Sequence, residues 1–147
     1  MNTAASVRVT NTTIRDNGSV GVYLLNGARA TVTGSTISGN NLGIAAMALA
    51  AGITTTADIA STTVDGGGPG VYALSGDASA TVKVSVHDSR IVRNSGAGVS
   101  GQSGAGGSVT RTVSRNIVAS NNNGGITSLG AGTRVWASGN TVVDNSI

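Results

Sequence analysis

The chain contains one histidine, His87, followed directly by Asp88 and Ser89. An imidazole, a carboxylate and a hydroxyl are the groups of a nucleophilic triad, in which the ring takes the hydroxyl proton and the carboxylate orients the ring. Here the match is adjacency only. With no second ligand or nucleophile nearby in sequence, His87 reads as a solvated surface residue. Gly96-Ala97-Gly98-Val99-Ser100-Gly101 satisfies G-x-G-x-x-G, but no helix follows it to receive a phosphate. Asp65-Gly66-Gly67-Gly68 is a single acidic glycine turn without the tandem repetition of calcium-binding nonapeptides. No cysteine is present, so there is neither a disulfide nor a thiolate metal site. These residues lead us to expect no metal, no cofactor and no named catalytic residue.

Whatever function the chain has must be positioned by an unusual composition. Of 147 residues 39% are apolar, yet Phe is absent and only one Trp and two Tyr occur, so the core is narrow and filled by Val, Ile and Ala. Only 10% are charged, there are 23 Gly, and Ser, Thr, Asn and Val dominate. That vocabulary suits strands and tight turns, not helices. The net charge of +3 comes from Arg scattered along the chain, read as solvated surface charge. Nucleic-acid binding calls for a clustered basic face with aromatics, so no nucleic-acid partner is expected. The longest apolar stretch, Ile44 to Ile53, is far short of the ~20 residues of a membrane-spanning helix, and no membrane insertion is expected.

One pattern recurs along the whole length: an apolar residue, a small polar residue three later, an apolar residue two further on, and Asn after three more. The copies are Val9-Thr12-Ile14-Asn17, Val32-Ser35-Ile37-Asn40, Ile59-Thr62-Val64-Gly67, Val86-Ser89-Ile91-Asn94, Val113-Asn116-Val118-Asn121 and Ala137-Asn140-Val142-Asn145. The central apolar residues step by 23, 27, 27, 27 and 24 positions. Between the copies lie Gly21-Val22, Gly43-Ile44, Gly70-Val71, Gly98-Val99 and Gly125-Ile126. Three short strands per repeat predict an all-β parallel solenoid of about six coils of 23–27 residues, a single domain over 1–147. Ile14, Ile37, Val64, Ile91, Val118 and Val142 stack as one interior column. Thr12, Ser35, Thr62, Ser89, Asn116 and Asn140 form an internal polar ladder, because an unpaired buried hydroxyl or amide costs about 1–3 kcal/mol. The outer Asn column supplies left-handed or turn backbone, a role Gly67 also fills.

Stretches such as Thr36-Ile37-Ser38-Gly39-Asn40-Asn41-Leu42-Gly43-Ile44 and Asn116 to Ile126 resemble the right-handed parallel β-helix family, the pectate-lyase-like superfold. The resemblance covers about residues 7 to 147 and implies right-handed coils. Its enzymes usually carry their site on the outward face of the Gly-led strands, in the groove beside the loops. The outward residues there are Tyr23 and Leu25, Ala45 and Met47, Tyr72 and Leu74, Ser100 and Gln102, Thr127 and Leu129. None is ionisable near neutral pH, so the paired carboxylates of glycosidases and the calcium cluster of lyases find no counterpart. The six Asp fall in different columns, and no catalytic residue of the family can be carried over. The reading leans away from an enzyme.

Two phases stay open for this stripe: facing outward it suggests binding, whereas a one-residue slip at the strand end buries the Leu25, Met47, Leu74 and Leu129 column. The segments between Gly-led strands and the next inward residue lengthen in the middle coils, predicting a ridge of three stacked loops. Ridge, Tyr23, Tyr72 and Gln102 together would make a shallow groove for a glycan, since rings stack on sugar faces. Thr31-x-Thr33 and Thr112-x-Ser114 suggest ice-binding arrays, but Arg8, Asp58, His87 and Trp136 interrupt them. The expected function is a non-catalytic structural or adhesive β-helix module of a surface or secreted protein. The alternative is a glycan-binding or carbohydrate-active fragment. An extracellular or cell-surface location is expected, with any secretion signal outside this chain, which opens Met1-Asn2-Thr3-Ala4-Ala5-Ser6. Only six residues precede the first repeat, and the chain stops at Ile147, where a further Gly-led strand would begin. That predicts an excerpt of a longer solenoid, or end-to-end association through open coils.

Overall fold

A computed structural model describes residues 4–104 and 106–146. The opening Met1-Asn2-Thr3 and the closing Ile147 lie outside the described residues, as does Ala105. Each coil contributes one strand to each of three parallel sheets. The long-strand sheet runs β1 (Ser6–Thr10), β4 (Arg29–Thr33), β7 (Thr54–Ala60), β10 (Thr81–His87), β13 (Ser108–Ser114) and β16 (Thr133–Ser138). The short-strand sheet runs β2 (Thr13–Arg15), β5 (Thr36–Ser38), β8 (Thr63–Asp65), β11 (Arg90–Val92), β14 (Ile117–Ala119) and β17 (Thr141–Val143). The Gly-led sheet holds β3 (Val20–Leu25), β6 (Leu42–Ala48), β9 (Val71–Ser75), β12 (Val99–Ser103) and β15 (Ile126–Leu129). The chain is a parallel β-solenoid of five full coils plus β16 and β17.

The register is the one the repeat predicts. Ile14, Ile37, Val64, Ile91, Val118 and Val142 face one another across successive short strands. Identical spacing stacks like on like, and the inward Val, Ile and Ala bury one another into a continuous narrow core. The Gly-led positions are glycine because the coils approach closely there. A Cβ on Gly43 would stand 2.4 Å from both the Gly70 carbonyl oxygen and Val64 Cγ1.

The coils turn sharply at two corners, and at these corners the backbone amides are met by side chains. At the first, Thr12 N–H donates to Ser35 Oγ (3.2 Å), Ser35 N–H to Thr62 Oγ1 (3.4 Å) and Thr62 N–H to Ser89 Oγ (3.1 Å). Ser89 N–H and Asn116 N–H continue the ladder onto Asn116 Oδ1 and Asn140 Oδ1, both at 2.9 Å. The hydroxyls donate to carbonyls two residues back, as Thr62 does to Ala60 (2.8 Å), so donor and acceptor are both satisfied.

The second corner departs from expectation. Its Asn column is a second internal ladder, with Asn40, Asn94 and Asn121 buried. Asn94 N–H donates to Asn121 Oδ1 (3.1 Å) and Asn121 N–H to Asn145 Oδ1 (3.0 Å). The left-handed backbone belongs to the residue before each ladder position, as at Asp16, Gly39, Gly66, Arg93, Ser120 and Asp144. Turning the chain one residue early swings the Asn side chain inward, which is why the Asn column is interior. Gly67 has a different reason for being glycine: a Cβ there would stand 2.3 Å from the Asn40 carbonyl oxygen.

Two further expectations need correction. The extra residues of the middle coils go partly into strand, with β7, β10 and β13 at seven residues each, and only partly into loops: the connections 49–53 and 76–80 are five residues against three at 26–28 and 130–132. Solvated arginine also fails once, since Arg111 is 0% exposed. Its register partners are Val84 and Val135, both inward positions. Its Nη1 donates to the Val99 carbonyl (3.2 Å) and its Nη2 to Ser128 Oγ, while buried Nε has no partner. Gly101 makes the room: a Cβ there would lie 2.5 Å from Arg111 Nε. Burial lowers the guanidinium pKa to about 10.

Candidate functional site

The Gly-led sheet presents the stripe expected of it. Val22, Leu24, Ile44, Ala46, Val71, Ala73, Val99 and Gly101 point in and are buried, which sends Tyr23, Leu25, Met47, Tyr72, Leu74 and Gln102 outward. Tyr23, Ala45 and Tyr72 are register partners, and Ala45 between the rings is fully buried although it faces out. Tyr72 and Gln102 come together: the phenol donates to Gln102 Oε1 at 3.1 Å. They line a recess of about 220 Å³ with Ser100, Thr127 and Leu129. Burial pushes the Tyr72 phenol above its ordinary pKa. Tyr23 stands apart, two strands away, with its hydroxyl 3.6 Å from Met47 Sδ.

A cluster of ionisable groups lies on the other broad face, the outside of the long-strand sheet and the corner that follows it. His87 is not isolated there. Its Nε2 lies 3.4 Å from Asp58 Oδ1 and its Nδ1 3.0 Å from Asp88 Oδ2. Asp88 in turn accepts two hydrogen bonds from Arg115, from Nε and Nη2, both at 2.8 Å. Asp58 faces Ser85 across the sheet, and His87 lies two residues beyond Ser85 on the same face, so the long coil step brings them together. Ser89 takes no part, being in the interior ladder. Among the described residues no three His, Cys, Asp or Glu side chains converge as a metal site.

A family model described as a right-handed beta helix region matches residues 1–147. The chain belongs to this right-handed β-helix family. Comparison with curated proteins and with solved structures finds no match. In this β-helix the pectate-lyase-like resemblance stands at the level of the fold, and a shared fold does not fix chemistry.

The same β-helix face carries a testable electrostatic feature. Hydrogen bonds from Arg115, and after them from His87, hold the Asp88 carboxyl well below the usual carboxylate range, and Asp88 raises Arg115 in return. A carboxyl depressed in the folded state stabilises it at every pH above the ordinary value. That contribution disappears only as pH falls through the depressed folded value. Arg115→Gln therefore raises the Asp88 titration midpoint toward the ordinary value of about 3.9. Carboxyl chemical shifts followed through an acid titration read this directly, and an unchanged Asp88 midpoint in the variant would contradict the pairing.

Proposed function

We propose that this β-helix is a non-catalytic adhesive module of a secreted or surface protein, which holds a glycan against the outward face of its Gly-led sheet. The observation carrying this reading is the aromatic and apolar stripe of Tyr23, Leu25, Met47, Tyr72 and Leu74, held on a sheet fixed by interior ladders. An exposed apolar stripe marks a contact surface. Tyr72, its hydroxyl donating to Gln102 Oε1 at the edge of the ring, suits a sugar that stacks one face and hydrogen-bonds its rim. Glycan-array screening followed by titration tests it. Binding that is lost in the Tyr23→Ala, Tyr72→Ala double variant supports the proposal. No binding, or binding indifferent to both substitutions, overturns it.

The end coils support end-to-end association as part of the same proposal. The inward columns continue to the last described strands, where Val7 is 46% and Val142 47% exposed. Sedimentation of the chain at high concentration should show concentration-dependent chains of copies; a strictly monomeric species would remove this part.

A further inference from the structure

The long-strand sheet carries a second surface whose chemistry differs from the aromatic stripe. One outward row across its six strands reads Ser6, Arg29, Thr56, Lys83, Thr110, Arg134. Cations occupy alternate strands and hydroxyls the strands between. The next row reads Arg8, Thr31, Asp58, Ser85, Thr112, Trp136. The two rows line a shallow groove of about 590 Å³ that includes Arg8, Arg29, Lys83, Thr31, Ser85 and Thr112.

The charges on this face, in the groove and beyond it at Arg134, are available to a ligand. Arg15, Arg93 and Arg115 are each paired with an aspartate, Asp16, Asp65 and Asp88 respectively. Arg8, Arg29, Lys83 and Arg134 have no carboxylate within ion-pair distance among the described residues, and all four lie on this face. The one carboxylate in the two rows, Asp58, is engaged by His87. At the far end Trp136 is 57% exposed beside Arg134, offering a ring face to a sugar.

The spacing selects the ligand. Alternate strands are about 9.6 Å apart, twice the interstrand distance. Nucleic acid carries a charge about every 3.4 Å along each strand, far denser than this row. We infer that this face of the long-strand sheet, from the groove at Arg29 and Lys83 out along the same row to Arg134, binds an extended anionic polysaccharide bearing one acidic group per disaccharide, with each of the three cations meeting one of those groups. The intervening Thr56 and Thr110 hydroxyls face the uncharged sugars. This site is separate from the aromatic stripe and stands whether or not that stripe binds a glycan.

Titration calorimetry of the full chain tests it with defined probes. Hyaluronan oligosaccharides carry one carboxylate per disaccharide, and a keratan oligosaccharide with one sulfate per disaccharide supplies the other acid. Oligogalacturonate carries a carboxylate on every sugar, and dextran none. Binding of hyaluronan or the monosulfated keratan supports the inference, and whichever binds tighter identifies the acid. Lys83→Gln, the middle cation, should weaken that binding about tenfold, the effect of one lost charge-assisted contact. Arg90→Gln removes an exposed cation on the short-strand sheet and should leave it unchanged. The inference is overturned by no binding of either alternating probe, by equal loss in the Lys83 and Arg90 variants, or by oligogalacturonate binding as tightly at matched ionic strength.

Discussion

Replacing Arg111 by valine and Gly101 by alanine together yields a chain more stable than the natural one, by about 1–4 kcal/mol. Val84 and Ala73 are the register partners of Arg111 and Gly101, so the double variant repeats a pair the core already holds. The natural pair buries a guanidinium with no carboxylate partner and leaves its Nε without an acceptor, and both carry a desolvation cost. Gly101→Ala alone acts in the opposite direction, because the new Cβ would press on Arg111 Nε; a loss of about 1–3 kcal/mol is expected. The alanine thus changes sign with its partner, destabilising beside Arg111 and stabilising beside valine. Urea unfolding of the two single variants and the double variant measures the cycle. Additive effects would show that the two sites do not share the space.

The same pair has a pH signature. Burial holds Arg111 in the folded chain down to about 10, below its unfolded value. Below pH 10 the guanidinium is charged in both states, and its burial penalty is constant. Above pH 10 the folded chain binds fewer protons than the unfolded one, so the natural protein gains stability relative to the double variant.

Asn121→Ala is expected to cost about 3 kcal/mol or more. The side chain accepts from Asn94 N–H and donates to the Ile91 carbonyl at 3.0 Å, both in the interior. Alanine strands both groups, each at about 1–3 kcal/mol, because a buried corner has no water to replace the amide. Asn122→Ala, one residue later and exposed, should stay within about 0.5 kcal/mol. Thermal or urea unfolding compares them, and equal losses would mean that the ladder does not hold the corner.

Much of the fold is legible in the sequence because the repeat writes the same corner six times. Thr12, Ser35 and Thr62 stand at fixed distance from Ile14, Ile37 and Val64, so ladder and column come out in register. The outward phase of Leu25, Met47 and Leu74 was not legible in this way, because a one-residue slip after the leading glycine exchanges the two faces of a strand. The second Asn ladder was hidden by a one-residue offset, since the left-handed residue beside each Asn is of many types. Arg111 sits among Thr110 and Thr112 like any surface arginine. Its signals were its parity with Val109 and Val113 and the glycine at 101 where the two preceding coils have alanine, Ala73 and Ala46. Added length alone does not distinguish longer loops from longer strands, and the middle coils lengthen both. The His87 cluster spans Asp58 to Arg115, and a coil step of 27 brings Asp58 level with Ser85 on the face His87 shares. That juxtaposition appears only when outward columns are compared diagonally as well as straight across.

The central claim is that side-chain ladders lock the corners and so hold both outward faces at the coil spacing that any ligand must match. Residue-resolved amide hydrogen exchange tests this most directly. The corner amides of Ser35, Ser89, Asn94 and Asn116 are bonded to side-chain oxygens of the next coil, and they should be as protected as the strand amides of Val86 and Val113. Corner amides exchanging as fast as those of the exposed turn at Ala50 and Ala51 would contradict it.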